Sequence, residues 1–307
     1  MVTSQDLVEC VPNFSEGQRP AVMDAIQAAA ESARGAAVLD RHADPVHNRM
    51  VLTVAGRAGP VAEAVFRCAA RAAELIDLSQ HGGVHPRIGA TDVIPFVPLG
   101  STSMRLCVEL AQRVGRRLAA ELDLPVYLYA EAAQRPERYR LAHVRRGEYE
   151  HLREQIGQDP SLEPDFGPPR LGPAGATAVG ARPPLIAYNV TLATGDLEIA
   201  RAIARRVRES SGGLPAVQAK GFPTADPDVV QVSMNLLDPR RTPLHVVFDR
   251  VLREADERGV AVLQSELVGL APTQALVEVA RACLRFGKLD ASAAIETRLL
   301  EVGFASE

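Results

Sequence analysis

The chain of 307 residues carries 34 Lys and Arg against 38 Asp and Glu, a formal net charge of −4. That length accommodates two domains of ordinary size with ample core, and the near balance of charge excludes a global pull toward nucleic acid or a membrane surface. A small-molecule partner is expected.

The four cysteines, Cys10, Cys68, Cys107 and Cys283, show no CxxC spacing. The scatter argues against a zinc site and a disulfide framework, and reads as buried thiols in a reducing cytoplasm. No apolar run approaches the ~18 residues that a membrane-spanning helix needs, and the N-terminus has neither the charged nor the apolar region of a signal peptide. A soluble, cytoplasmic protein is expected.

In chain order, residues 7–11 form a short apolar strand that stops at Pro12, and a turn-rich segment leads to Gly17. Residues 20–33 have helical apolar spacing, Gly35 is a stop signal, and residues 36–39 resume as a strand ending at Asp40. Between Asp40 and a strand at 50–55 lies a polar loop, RHADPVHNR, holding His42, Asp44, His47, Asn48 and Arg49. A long Ala-rich helix over 60–79 and an apolar strand over 93–97 close a β-α-β-β-α-β unit, to which a helix over 103–122 and a strand over 126–129 are appended. From 130 to 184 the periodicity weakens; a short helix over 147–158 precedes the Pro- and Gly-dense EPDFGPPRLGPAGATAVGARPP, so this span reads as a connector. Afterwards the order recurs, with strand 185–192, helix 197–209, strands 216–221 and 229–237, helix 243–258 and strand 260–263. The expected fold is α+β: two ferredoxin-like (β-α-β-β-α-β) subdomains, residues 1–180 and 181–307, each with helices on one face of its sheet and a ligand groove between them.

Chemistry is concentrated on the helix-to-strand connection within IDLSQHGGVHPRIGATDVIPFVP, residues 76–98. His81, His85, Arg87 and Asp92 fall within twelve positions there, among glycines that permit close backbone approach. Pro86 restricts His85 to an extended backbone. The Gly82-Gly83 pair argues against a helix that would aim His81 and His85 at one metal, so acid–base work by His85 ranks above metal binding. His81 reads as a loop histidine satisfied by its neighbours. Arg87 is suited to gripping a carboxylate, or else to a cap or surface charge, and Asp92 to capping a turn. Asn48 and Arg49 either bind substrate or fix their own loop. Arg145 and Arg146, ahead of Glu148 and Glu150, read as a solvated helix start. The glycines at 167, 172, 175 and 180 match no nucleotide phosphate-binding pattern. Composition and spacing stop at an intracellular transferase or hydrolase with a histidine base.

Longer residue patterns go further. VECVPNFSEG (8–17), the 76–98 stretch with its HPRIGA, LPVYLYAEAA (124–133), RRGEYE (145–150), PDFGP (164–168), GATAVGAR (175–182), QVSMNLLD (231–238) and SELVGLAP (265–272) together resemble the formiminotransferase family over nearly the whole chain. The resemblance implies transfer of the formimino group from N-formimino-L-glutamate to tetrahydrofolate as co-substrate, without a metal, giving 5-formiminotetrahydrofolate and L-glutamate in histidine degradation. It makes His85 the catalytic acid–base residue and Gly167, Pro168, Pro169, Arg170, Leu171, Gly172, Pro173, Ala174 and Gly175 a folate-contacting stretch. That stretch is about one residue shorter than in the animal members and lacks their aromatic residue. On the same basis Asp40 offsets the amidinium charge, Asn48 helps bind substrate, and Arg49 and Arg87 hold the glutamate carboxylates; Asn235 and Glu266 reach the groove from the second half. His42 stands where the animal pattern has a second aspartate and is given no role. A homodimer is expected from the family. Formyl transfer from 5-formyltetrahydrofolate would use the same base, and a non-catalytic folate-binding protein is the reading from another class, against which the complete HPR motif speaks.

Overall fold

The computed structural model describes residues 6–45, 47–82, 86–295, 297 and 298. The chain divides into two compact units, Met1–Pro183 and Pro184–Glu307, and is mixed α+β with one sheet in each.

The first unit opens with β1 (Leu7–Cys10) and β2 (Asn13–Phe14), one line of chain interrupted at Pro12, which has no N–H to give to a ladder. After α1 (Pro20–Glu31) come β3 (Ala36–Asp44) and β4 (Arg49–Arg57), then α2 (Ala58–Leu75) and β5 (Thr91–Pro98). Ser103 accepts from the Leu106 N–H to cap α3 (Met104–Leu122), which leads to β6 (Val126–Ala130). In space β3 pairs β4, β4 pairs β1 and β2, and these pair β5, all antiparallel. Met50, Leu52 and Val54 alternate along β4 toward a core filled by α1, α2 and α3, so the opposite face carries Arg49, Val51 and Thr53.

Three expectations are corrected here. The polar loop after Asp40 is mostly strand: β4 supplies partners from Asp40↔Thr53 to Asp44↔Arg49, and the connection shrinks to residues 45–48. The helix α2 ends at Leu75 rather than 79, because Ile76 and Asp77 turn extended. Most consequential, residues 131–181 are no connector. They contain α4 (Leu141–Val144), α5 (Glu148–Gln155) and β7 (Thr177–Ala181), and β7 lies between β5 and β6, parallel to both. Leu152 and Ile156, with Ile88, Val93, Tyr127 and Tyr129, form a core on the sheet face opposite α3, so this unit is covered on both faces rather than one. A central strand buried on both sides shows no alternation, and Thr-Ala-Val-Gly-Ala is made of small residues because its neighbours leave no room. A β-carbon on Gly180 would sit 2.6 Å from the Tyr129 ring.

The second unit runs β8 (Ile186–Leu192), α6 (Leu197–Val207), β9 (Val217–Pro223), β10 (Val230–Leu236), α7 (Leu244–Asp256) and β11 (Val262–Val268). Its antiparallel sheet has the order β11-β8-β10-β9, the same first-to-fourth strand arrangement as β5, β1/β2, β4 and β3. Ile186, Tyr188, Val190 and Leu192 alternate inward against α6 and α7. A further helix, α8 (Thr273–Leu284), was not expected; of its residues only Ala275 is buried. Cys10, Cys68 and Cys107 are buried, whereas Cys283 on α8 is exposed, contrary to expectation. No described helix is long and apolar enough to cross a membrane.

Gly180 and Gly59 give opposite expectations. Gly180→Ala forces a methyl into Tyr129 and is expected to lower stability by about 1–3 kcal/mol. Gly59→Ala, in α2 with nothing within 4 Å of the new methyl, is expected to be neutral or to stabilise by roughly 0.5–1 kcal/mol. Urea midpoints of the two variants against the parent check the pair.

Candidate active site

Beyond α2 the chain enters its chemically dense loop tied to the core at Ile76 and Leu78, both buried. Asp77 accepts from the Ser79 N–H at 2.9 Å and starts a single 3-10 turn, Leu78–Gln80. On the far side, residues 87–92 are gripped by three segments. Ser15 donates its hydroxyl to the Gly89 carbonyl at 2.7 Å and its N–H to the Ala90 carbonyl at 2.9 Å. The Ala90 N–H donates to the Ala174 carbonyl at 2.8 Å, and the Ala176 N–H to the Ile88 carbonyl at 2.9 Å. The Tyr149 N–H donates to the Arg87 carbonyl at 2.8 Å. A β-carbon on Gly89 would lie 1.8 Å from the Ala176 carbonyl oxygen, so the approach requires glycine. His85 itself lies outside the described residues, between Gly82 and Pro86.

Arg87 is committed within the protein. Its Nε donates to His81 Nδ1 at 2.9 Å, and its Nη2 to the His81 carbonyl at 3.1 Å and to Glu150 Oε1 at 2.7 Å; Glu148 Oε2 is 3.4 Å from Nη1. With Nδ1 accepting, the proton of the imidazole resides on Nε2, which faces the Asn48 carbonyl at 3.3 Å. Burial, aided by the Arg87 charge, pulls the His81 pKa below its ordinary value against the opposing pull of that carbonyl. The hydrogen bond from Arg87 holds the Glu150 carboxyl below its usual range.

Asn48 ties the β3–β4 connection to two other segments. With a left-handed backbone (φ 47°), which Asn tolerates better than most residues, its Oδ1 accepts from the Gly17 N–H at 2.8 Å and its Nδ2 donates to the Gly82 carbonyl at 2.9 Å. Next to it His47 Nδ1 lies 2.7 Å from Asp44 Oδ2. Arg49 donates from Nε to Asn13 Oδ1 at 3.1 Å and from Nη2 to the same oxygen, and no carboxylate among the described residues forms an ion pair with it. Its pKa is lowered to about 10, first by burial and then by the positive charge of Arg145. Arg145 is therefore no solvated helix start. It ion-pairs with Asp92 Oδ2 with its side chain only 15% exposed, while Asp92 Oδ1 accepts from the Ile88 N–H at 2.9 Å.

These groups line one narrow polar cleft on the first unit: Asn13, Phe14 and Ser15 from the first strand line, His47, Asn48 and Arg49 from the hairpin, and His81, Arg87 and Asp92 from the loop. Asp40, opposite Thr53, shares the Arg49 face of the sheet further along the hairpin. Residues 167–175 belong to the first unit and end against the loop, where the Leu78 N–H donates to the Pro173 carbonyl at 2.8 Å. Arg170 on that stretch pairs with Asp123 at the surface. On the second sheet Asn235 alternates with buried Met234 and Leu236, and Glu266 accepts from Asn189 Nδ2 at 3.2 Å. Among the described residues no group of three His, Cys, Asp or Glu side chains is placed to hold a metal. Sequence reasoning gave no site role to Asn13, His47 or Arg145. The RRGEYE pattern held the signal for Arg145, but so charged a run reads as solvent-exposed when the partner Asp92 is 53 residues away.

The family model described as the formiminotransferase domain, N-terminal subdomain, matches residues 7–182, and that of the formiminotransferase domain matches residues 187–299. The chain belongs to the formiminotransferase family. It is 46% identical to a glutamate formimidoyltransferase of Thermoplasma acidophilum over 95% of this chain and 97% of that one. It is 43% identical to a glutamate formimidoyltransferase of Streptococcus pyogenes over 92% and 95%. A formimidoyltransferase-cyclodeaminase of Mus musculus is 47% identical over 89% of this chain, which matches 52% of that longer protein.

In this formiminotransferase chain His81 is held neutral, and that has a measurable sign. Its folded pKa lies below the ~6.5 of free histidine, so the unfolded chain takes up the proton first as pH falls. The stability that this group contributes is full above about pH 6.5 and is lost progressively below it. A histidine NMR titration is expected to show His81 as the Nε2–H tautomer with a midpoint below 6.5, moving upward in Arg87→Gln. A midpoint at or above 6.5 in the parent would contradict the arrangement.

Proposed function

We propose that this chain transfers the formimino group of N-formimino-L-glutamate to N5 of tetrahydrofolate, releasing L-glutamate and 5-formiminotetrahydrofolate in histidine degradation. The observation that carries the reading is the 46% identity to a glutamate formimidoyltransferase across 97% of that protein's length. The formimino group is an amidine, cationic near neutral pH. N5 attacks its carbon and loses a proton, and the bond to the glutamate nitrogen breaks as that nitrogen gains one. A single imidazole serves both transfers, because its ordinary pKa of ~6.5 lets it accept and return a proton at physiological pH.

His85 is the residue assigned that work. Support comes from its place in the chain, two residues before an arginine and four before a glycine that are both fixed by other segments. Asp40 is assigned to offset the amidinium charge from the sheet face that it shares with Arg49, and Asn48 to shape the cleft around the substrate. Arg49, a largely buried cation that among the described residues donates its side-chain hydrogen bonds to the neutral Asn13 amide, is assigned a glutamate carboxylate. Arg87 is assigned to fixing the segment around His85 rather than to the substrate, since Glu148 and Glu150 already occupy its donors. Residues 167–175 are assigned the folate, and their attachment at Leu78 and Ala90 keeps them beside the same loop. The reading takes each unit as a ferredoxin-like subdomain, tetrahydrofolate as co-substrate without a metal, and a homodimer in the cytoplasm as the working form.

Turnover with formiminoglutamate and with 5-formyltetrahydrofolate as alternative donors tests the reaction, and His85→Ala tests the base. With both substrates saturating, the variant is expected to lose about two to four orders of magnitude in kcat while binding tetrahydrofolate within a few-fold of the parent. Retention of most of the parent kcat would remove His85 from the mechanism.

A further inference from the structure

Arg145 is bonded to Asp92, which lines the cleft together with Arg49, and its charge helps to lower the Arg49 pKa, yet the protein supplies little to hold the two guanidinium groups. Arg145 gives one terminal nitrogen to Asp92, and its Nε is buried with no hydrogen-bond partner. The hydroxyl of Thr91, beside Asp92 in sequence, is also buried and unpartnered. Among the described residues Arg49 donates to a neutral amide and forms no ion pair, although the charges of Asp92 and Asp44 are near enough to oppose the lowering of its pKa. Buried guanidinium donors are normally paired, because leaving them unmet is costly. Arg87, a few residues from Asp92, is the contrast: two carboxylates and a carbonyl occupy its donors.

We propose that Arg145 is a substrate-binding residue, forming with Arg49 a two-guanidinium subsite for a carboxylate of the glutamate half. The proposal rests on the transfer reading above and deepens it. A planar carboxylate with two oxygens matches the fork of N–H donors that guanidinium groups present, and Asp92 keeps Arg145 aimed while compensating only one of the two charges.

The test is steady-state kinetics of Arg145→Ala and Arg145→Lys with both substrates varied, alongside calorimetric binding of L-glutamate to the parent and both variants. Arg145→Ala is expected to raise KM for formiminoglutamate, and to weaken L-glutamate binding, by roughly ten- to a hundredfold, the range for lost hydrogen bonds to a charged group. KM for tetrahydrofolate stays within twofold. Arg145→Lys keeps the charge but not the fork; it preserves the pairing with Asp92 if the Ala variant fails to fold, and is expected to show a smaller shift in the same direction. Unchanged L-glutamate binding in both variants, no L-glutamate binding in the parent, or a parallel rise in both KM values, as a merely structural arginine would give, overturns the subsite. Should the parent bind L-glutamate through Arg145 but turn over neither donor, the transfer reading falls and the subsite stands.

Discussion

At Gly89 two backbone segments distant in sequence approach so closely that no β-carbon fits between them. The contact is one point of a larger clamp. Ser15 closes on the loop from the first strand line, residues 174–176 from the segment just before β7, and Tyr149 from α5. Each clamp uses backbone or short polar groups, which leave little rotamer freedom and hold position tightly. Residues 87–92 thereby become a rigid shelf on which the cleft is assembled. The folding of residues 131–181 back over the sheet follows from the same constraint, since two of the three clamps come from that span.

Charge is distributed unevenly over this shelf. On one side Arg87 meets Glu148 and Glu150, and burial, aided by its charge, favours the neutral form of His81. On the other, Arg49 and Arg145 share their surroundings with one directly bonded carboxylate, Asp92. One of the three buried side-chain atoms left without a hydrogen bond among the described residues, Nε of Arg145, lies on this second side. Each such atom costs on the order of 1–3 kcal/mol. The unmet donor of Arg145, bonded to the cleft residue Asp92, contrasts with the well-paired Arg87 cluster, which maintains the scaffold.

Much of this was legible in the chain. The strand and helix order of both units follows from apolar periodicity, as in the alternation of Ile186, Tyr188, Val190 and Leu192. The dense loop after α2 stood out through residue types alone, and the family was legible from patterns such as HPRIGA. The misread elements share a physical cause. Strand β7 is buried on both faces and short, so alternation does not mark it, and of the glycines that suggested a connector Gly180 is there for close packing against Tyr129. Asp40 to Asp44 look like a polar loop because a strand with a solvated face over the cleft needs polar residues. Arg145 looked exposed because its partner Asp92 is remote in sequence, and only the folded chain brings them together.

A crystal structure of the chain with L-glutamate and tetrahydrofolate bound tests this account most directly. The account predicts a glutamate carboxylate against Arg49 in the cleft of the first unit, the folate along residues 167–175, and the His85 imidazole between the glutamate nitrogen and N5. A ternary complex in which glutamate lies away from Arg49 and His85 touches neither ligand would contradict it.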